Sequence, residues 1–256
     1  MKPSLGGESS AHRFNRYELK YLVAEGELPL LHEELQRHMD RDVHQREATR
    51  VSSLYYDTDD LRCYWEKIDG LRLRRKLRIR VYGPPESITD RSPAYVEIKQ
   101  RVNRVTQKRR VRLTYRDARV LCDERRDPGG PPEDAEVVNE VLVLTQHLDL
   151  RPTAITTYFR GGYKGRGADL GLRVTVDHRV CGRDRDFDLR SHASNTFIIP
   201  PHLAVVELKV DERAPTWFTD LAADLDLTTV RISKYCKAIE AMANGPRAPQ
   251  HAREIP

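Results

Sequence analysis

A chain of 256 residues with 44 Lys or Arg against 39 Asp or Glu has a net charge of only +5, so bulk charge gives no case for nucleic-acid binding and any anion site must come from local placement. At 39% hydrophobic and 32% charged residues the chain is polar, yet it can bury a sizeable core, which excludes a wholly disordered polypeptide. No apolar run approaches the roughly 20 residues that span a bilayer, no signal-peptide core stands at the N-terminus, and Cys63, Cys122, Cys181 and Cys236 form no CxxC pair, so the expectation is a cytoplasmic protein with reduced thiols and no zinc site.

Residues 1–12 are rich in Gly and Ser and predict disorder. The run Arg16 to Val23 alternates, with Arg16, Glu18 and Lys20 on one face and Tyr17, Leu19, Tyr21 and Val23 on the other. A Glu and a Lys two apart on a strand point the same way, as a metal–phosphate bracket or a plain surface ion pair would. Leu28, Leu31, Leu35 and Met39 are spaced for an amphipathic helix. Val51 to Tyr56 reads as a strand, followed by a helix to about Lys67 that Thr58 or Asp59 caps. Asp69-Gly70 turns the chain into a basic strand in which Leu73, Leu77, Ile79 and Val81 oppose Arg74, Lys76, Arg78, Arg80 and Tyr82. Ala94–Val102 places Tyr95, Glu97, Lys99 and Arg101 on one face and pairs as a hairpin with Thr106–Thr114, whose Lys108, Arg110 and Arg112 face the same way. A Gly/Pro break at Asp127 to Pro132 precedes a helix over roughly Glu133 to His147. Later strands follow over Pro152–Tyr163, Gly171–Asp177 and Leu203–Val210, with one edge strand and a loop within Cys181–Ser194. Helices are predicted over Pro215–Ala223 and Lys234–Met242, and a loose Pro-rich tail over residues 244–256.

Strand after strand thus carries charges on one face and aliphatic residues on the other. On an open sheet the charged face is mere solvated surface. In a closed barrel it lines a water-filled lumen, which is stable only if carboxylates, water and a bound polyanion compensate it. A linear phosphate chain suits such an interior, because phosphoryl oxygens take bidentate Arg donors and Lys adds mobile point charges. The sequence pattern leaves open and closed sheets both standing.

Glu18-x-Lys20, Ser53-Leu54-Tyr55-Tyr56-Asp57-Thr58, Leu77-Arg78-Ile79-Arg80-Val81-Tyr82, Val96-Glu97-Ile98-Lys99, Tyr158-x-Arg160, Arg173-Val174-Thr175-Val176-Asp177, Val206-Glu207-Leu208-Lys209 and Ser233-Lys234-Tyr235-Cys236 follow one another in order. This succession resembles the VTC domain, the polyphosphate polymerase module of the triphosphate tunnel metalloenzyme superfamily, over residues 13–243. The resemblance implies an α+β fold: a closed antiparallel β-barrel tunnel of about eight strands with helices packed outside. It implies that ATP and polyphosphate bind inside and that the γ-phosphate passes to the growing chain. Carried over by position, Arg78, Arg80, Lys99, Arg160 and Arg173 become phosphate ligands, and Lys20 and Lys234 reach the terminal phosphates. Tyr158 borders the nucleobase. Glu207 becomes the main ligand of a divalent cation, Mn²⁺ or Mg²⁺, with Glu18 and Glu97 as further candidates, although ion pairing with Lys20 and Lys99 explains those two equally well. The resemblance also leaves room for a membrane-protein partner that holds the chain at the inner face of a membrane.

Three rivals remain. A tripolyphosphatase or nucleotide triphosphatase of the same fold differs only in using water as acceptor, but those relatives usually begin with a fuller Glu-x-Glu-x-Lys strand, and here Arg16 holds the first position. A polyphosphate sensor without catalysis would need fewer carboxylates. A nucleic-acid binder fits the basic strands but neither the small net charge nor the few exposed aromatic steps.

Overall fold

The computed structural model describes residues 17–42, 48–103, 105–211 and 213–242. The expectations for residues 1–12, for 244–256 and for Arg16 fall outside them, as do the outermost residues of the expected 13–243 domain.

Strand β1 (Tyr17–Ala24) leads through a short turn into helix α1 (Leu28–His38), whose Leu28, Leu31 and Leu35 are buried as their spacing requires. A three-residue strand β2 (Met39–Arg41) is followed by β3 (Thr49–Asp57). Helix α2 (Arg62–Ile68) starts later than the sequence suggests, because Leu61 adopts a left-handed backbone with φ 60°. The Thr58 hydroxyl does accept from the Arg62 amide at 2.9 Å, but the buried Asp57 carboxylate takes the next two amides, of Cys63 and Tyr64, at 2.8 and 3.0 Å. β4 (Leu73–Tyr82), β5 (Pro93–Val102) and β6 (Val105–Thr114) form the basic meander. Helix α3 (Tyr115–Asp123) comes directly after β6, with Thr114 accepting from the Asp117 amide. Then come α4 (Ala135–His147), β7 (Arg151–Gly165), β8 (Arg173–Arg183), β9 (Thr196–Phe197), β10 (Leu203–Val210), α5 (Thr216–Asp224) and α6 (Lys234–Glu240).

Eight strands pair in the order β1-β10-β8-β7-β3-β4-β5-β6, with β2 added to β7 and β9 to β8, and all pairings are antiparallel. The α+β class and the antiparallel sheet agree with expectation, but the closed barrel does not. Among the described residues β1 and β6, the ends of the ladder, do not pair. The cause lies at the outer edge of β1. There Tyr21 bridges Thr229, and the Val230 amide donates to the Lys20 carbonyl at 2.8 Å. The segment leading into α6 therefore takes hydrogen bonds that β6 would need. The sheet is curled instead, tightly enough that Lys99 on β5 reaches Glu18 on β1 at 3.4 Å.

Three apolar clusters hold the curl. Leu54, Leu77, Ile79, Val96 and Val111 on the convex face of β3–β6 pack beneath α3 and α4. On the other wing Val174, Val176, Val206 and Leu208 pack with Leu31, Leu35, Phe218 and Leu221 of α1 and α5. The third cluster corrects the expectation that all helices pack outside. Tyr55, Tyr158 and Val205, which point to the concave side, pack against Cys63 and Tyr64 of α2 and Tyr235, Cys236 and Ile239 of α6. These two helices plug part of the hollow because their short apolar faces find cover only there. The Tyr235 hydroxyl donates to the Asp57 carboxylate and so ties α6 to the start of α2.

Candidate functional site

Register decides which side chains meet on the concave face. Across β1, β10 and β8 one row reads Lys20, Glu207, Thr175, and the next reads Glu18, Lys209, Arg173. Arg160 on β7 stands opposite Asp177 on β8. Because strand side chains alternate, these residues share one face, and all of them but Arg173 gather into the first acid–base cluster. Asp177 accepts from both Nε and Nη2 of Arg160 at 2.6 Å and meets the Lys234 ammonium at 2.6 Å. Glu207 lies 3.2 Å from Lys234, 3.6 Å from Lys20, 3.7 Å from Arg160 and 3.8 Å from Lys209. Glu18 pairs with Lys20 at 2.9 Å and with Lys99 at 3.4 Å.

The second cluster is on the opposite wing. Glu97 on β5 is in register with Arg78 on β4 and Arg110 on β6. Its carboxylate lies 2.6 Å from Arg78 and 3.9 Å from Arg80, and it also pairs with Lys108. Arg78 donates to the Tyr55 hydroxyl at 2.9 Å, and Arg80 donates to Ser53 and to the Tyr158 hydroxyl at 3.1 and 3.0 Å. Tyr158 joins the clusters, since Arg160 and Lys234 lie over its ring at 5.1 and 4.9 Å. At 2% exposure it is a platform under these cations.

The charge balance favours ionised acids. Burial alone would raise the carboxyl of Glu18, but Lys99 and Lys20 outweigh it and hold it at about 2. Glu207 is driven well below its ordinary value despite burial, by Lys234, Lys20 and Arg160. Glu97 and Asp177 are lowered against burial too, the former chiefly by Arg78 and Arg80, the latter by Arg160 and Lys234. Lys209 goes the other way: burial brings its ammonium down to about 8, against the pull of Glu207 and Glu18. Burial would raise Tyr55, yet Arg78 and Arg80 bring its phenol to about 8. The arrangement can bind a polyanion by exchanging internal ion pairs for phosphoryl oxygens.

Of the residues singled out in the sequence, Lys20, Glu18, Arg160, Lys234 and Glu207 converge, and Arg78, Arg80 and Glu97 converge opposite them. Lys99 spans the two wings. Arg173 stands apart at the rim, 37% exposed in its side chain, where it pairs with Asp42 at 3.4 Å. Sequence reasoning passed over Lys209, Lys108 and Tyr55 as site residues. Lys209 was detectable, because it follows Glu207 by two on the same strand face. Tyr55 was harder to see, since a tyrosine within an apolar strand reads as core.

The family profile described as the VTC domain matches residues 15–243. Two curated relatives, each named vacuolar transporter chaperone complex subunit 4, come from Trypanosoma cruzi (strain CL Brener) and Trypanosoma brucei brucei (strain 927/4 GUTat10.1). Each is 23% identical, over 92% of this chain and 35% of the relative. The chain thus spans about a third of the length of the curated relatives it matches. A solved structure from Bacillus halodurans, described as a candidate adenylate cyclase, aligns with a TM-score of 0.49 at 13% identity, over 86% of this chain and 95% of that one.

Proposed function

This chain belongs to the VTC domain family, and from that premise we propose that it is a metal-dependent polyphosphate polymerase, which moves the γ-phosphate of ATP onto a polyphosphate chain held against the concave face. Arg78, Arg80, Arg160 and Lys99 bind phosphoryl oxygens, with Lys209 beside them and Arg173 as an outer ligand at the rim. Lys20 and Lys234 hold the terminal phosphates. Tyr158 supports Arg160 and Lys234 from below, so its contribution to ATP binding is positional.

The divalent cation, Mn²⁺ or Mg²⁺, belongs with Glu207 and Glu18. Hard cations of this kind are commonly held by one or two carboxylates together with substrate phosphates. Both acids are ionised, and Thr175 Oγ1, in register with Glu207, is buried without a hydrogen-bond partner among the described residues. The described residues contain no group of three His, Cys, Asp or Glu that could hold a metal unaided, which fits a cation delivered with its phosphate. When bound, it would neutralise charge on the phosphate oxygens. Glu97, crowded by Arg78, Arg80 and Lys108, is better suited to positioning those cations than to binding another.

One observation carries the choice of acceptor. Each of Glu18, Glu97, Asp177 and Glu207 is in contact with Lys or Arg, so none is a spare base to orient water. An ionised chain end is already a nucleophile and needs no base, whereas a hydrolase must position and deprotonate water. The protein then supplies in-line placement and charge neutralisation. The relatives' names describe subunits of a complex. On that likeness the chain would act at the inner face of a membrane through a membrane-protein partner; no helix of the described residues is long and apolar enough to cross a membrane. Purified protein given ATP and Mn²⁺, assayed for both polyphosphate and orthophosphate, tests the reading. Polyphosphate is expected, and excess chelator should abolish it. Orthophosphate alone would transfer the site to a hydrolase of the same fold, and neither product would make it a polyanion sensor.

A further inference from the structure

The rows of the concave face are not compensated alike. Along β4 the inward side chains are Arg80, Arg78, Lys76 and Arg74, opposite Tyr95, Glu97, Lys99 and Arg101 of β5. Arg78 and Arg80 meet Glu97, Lys99 meets Glu18, and Lys76 donates to Ser233 Oγ at 2.9 Å and lies 5.0 Å over the Tyr235 ring. The last row breaks the pattern. Arg74 faces Arg101 directly across the strand pair, and neither has a carboxylate partner among the described residues. Arg101 donates to the Asn103 carbonyl at 3.0 Å. Glu66, whose field reaches Arg74, is itself held by Arg62 at 3.1 Å. Lys67 is at the end of α2, which packs against β4, and burial, then Arg74, lowers its ammonium below the ordinary value.

Like charges directly opposite on neighbouring strands are destabilising, and here three cations share one end of the hollow with no ion-paired carboxylate of their own among the described residues. The opposite end of the same strands is built differently. Tyr82 and Tyr95 stack edge to face with centroids 5.8 Å apart, and Arg110 lies 5.1 Å over Tyr95. The two ends of the site are therefore chemically distinct.

We propose that Arg74, Arg101 and Lys67 form an exit lip, a binding site for the distal part of a linear polyphosphate chain whose reacting end lies at the Glu207 and Glu97 clusters. The lip rests on the polyphosphate reading above and adds a direction to it: the chain leaves between the start of β4 and the end of β5. Arg74 is four residues from Arg78, about 13 Å along the strand at roughly 3.3 Å per residue. A tripolyphosphate seated on Arg78 and Arg80 stops short of the lip, whereas a longer chain crosses it. The site consequently selects for chain length.

The test compares the affinity of the protein for long-chain inorganic polyphosphate with that for tripolyphosphate, both without ATP. Wild type is expected to prefer the long chain. In the Arg74→Gln/Arg101→Gln double variant the ratio of the two affinities should fall about tenfold, the scale of two lost exposed charge contacts. Arg74→Lys/Arg101→Lys should retain most of the preference, which separates charge at the lip from a packing effect. An undiminished ratio in the Gln variant, or no length preference in wild type, overturns the lip and leaves the polymerase reading standing. Failure of wild type to bind either chain overturns both.

Discussion

Glu97 and Glu207 lie on opposite wings of one curled sheet, 1% and 7% exposed, and both are kept ionised by surrounding cations. Their surroundings differ in redundancy. Each of the main cations around Glu207 has a second acid: Lys20 has Glu18, and Lys234 and Arg160 have Asp177. Around Glu97 neither Arg78 nor Lys108 has another carboxylate among the described residues. The shortest contact of Glu207 is also the looser one, 3.2 Å to Lys234 against 2.6 Å between Glu97 and Arg78. A carboxylate whose neighbours are satisfied elsewhere can exchange them for a metal–phosphate unit at little cost to the fold. One that alone compensates buried cations cannot. Under the proposed function the two wings would thus divide the work: the Glu97 wing would position guanidinium groups, and the Glu207 wing would exchange ligands.

The largest expected effect separates the wings by turnover. Glu207→Gln should lower polyphosphate synthesis by about 100-fold or more, the scale of removing one charge-stabilising group from a phosphoryl-transfer site. Its unfolding free energy should fall by less than that of Glu97→Gln, because its cations keep their other partners. Glu97→Gln should do the reverse in stability, costing about 3 kcal/mol or more, since it strands buried charges. Denaturant unfolding of both variants beside the synthesis assay checks the pair. Equal destabilisation by the two substitutions would erase the distinction.

A smaller effect lies in the acid limb. Glu18, Glu97, Asp177 and Glu207 all have folded-state values below their unfolded ones, so their contribution is fully present above the unfolded value and is lost as pH falls through the folded one. For Glu18 that window runs from 4.5 down to about 2. Unfolding midpoints should therefore fall below the mid-fours, and that fall should be shallower in Glu97→Gln than in wild type. His32 and His178, both lowered chiefly by burial, add a separate loss as pH drops below 6.5, so it is an acid limb below pH 4.5 left unchanged by Glu97→Gln that would contradict the assignment.

How far the sequence reveals this division depends on the kind of residue. Period-two strands were legible where one face is continuously aliphatic: β10 has the bounds its pattern predicts, and β4 shows the alternation from Leu73 to Tyr82. Arg109, a charge on the aliphatic face of β6, pairs with Glu140 of α4 on the convex side. Helix α3 went unread, although Thr114, Asp117 and the spacing of Tyr115, Ala118, Leu121 and Cys122 mark it. The motif residues located the site, but pairing across wings depends on the curl, which no local pattern encodes. The failure of closure was equally hidden, because the Thr229–Val230 segment that covers β1 carries no strand signal of its own.

The smallest effect concerns Lys209. Its ammonium is brought to about 8 by burial, and a phosphate chain beside it would raise that value again. Polyphosphate binding slightly above pH 8 should then take up protons, up to about one per site. Calorimetry in two buffers of different ionisation enthalpy reads this directly, and Lys209→Arg, which stays charged, should remove it.

The division of the two wings is tested most directly by a crystal structure with Mn²⁺ and tripolyphosphate, in which anomalous scattering locates the metal. The account predicts manganese on the Glu207 carboxylate, shared with phosphate oxygens, while Glu97 keeps Arg78 and Lys108. Manganese on Glu97, or tripolyphosphate bound away from the concave face, would contradict it.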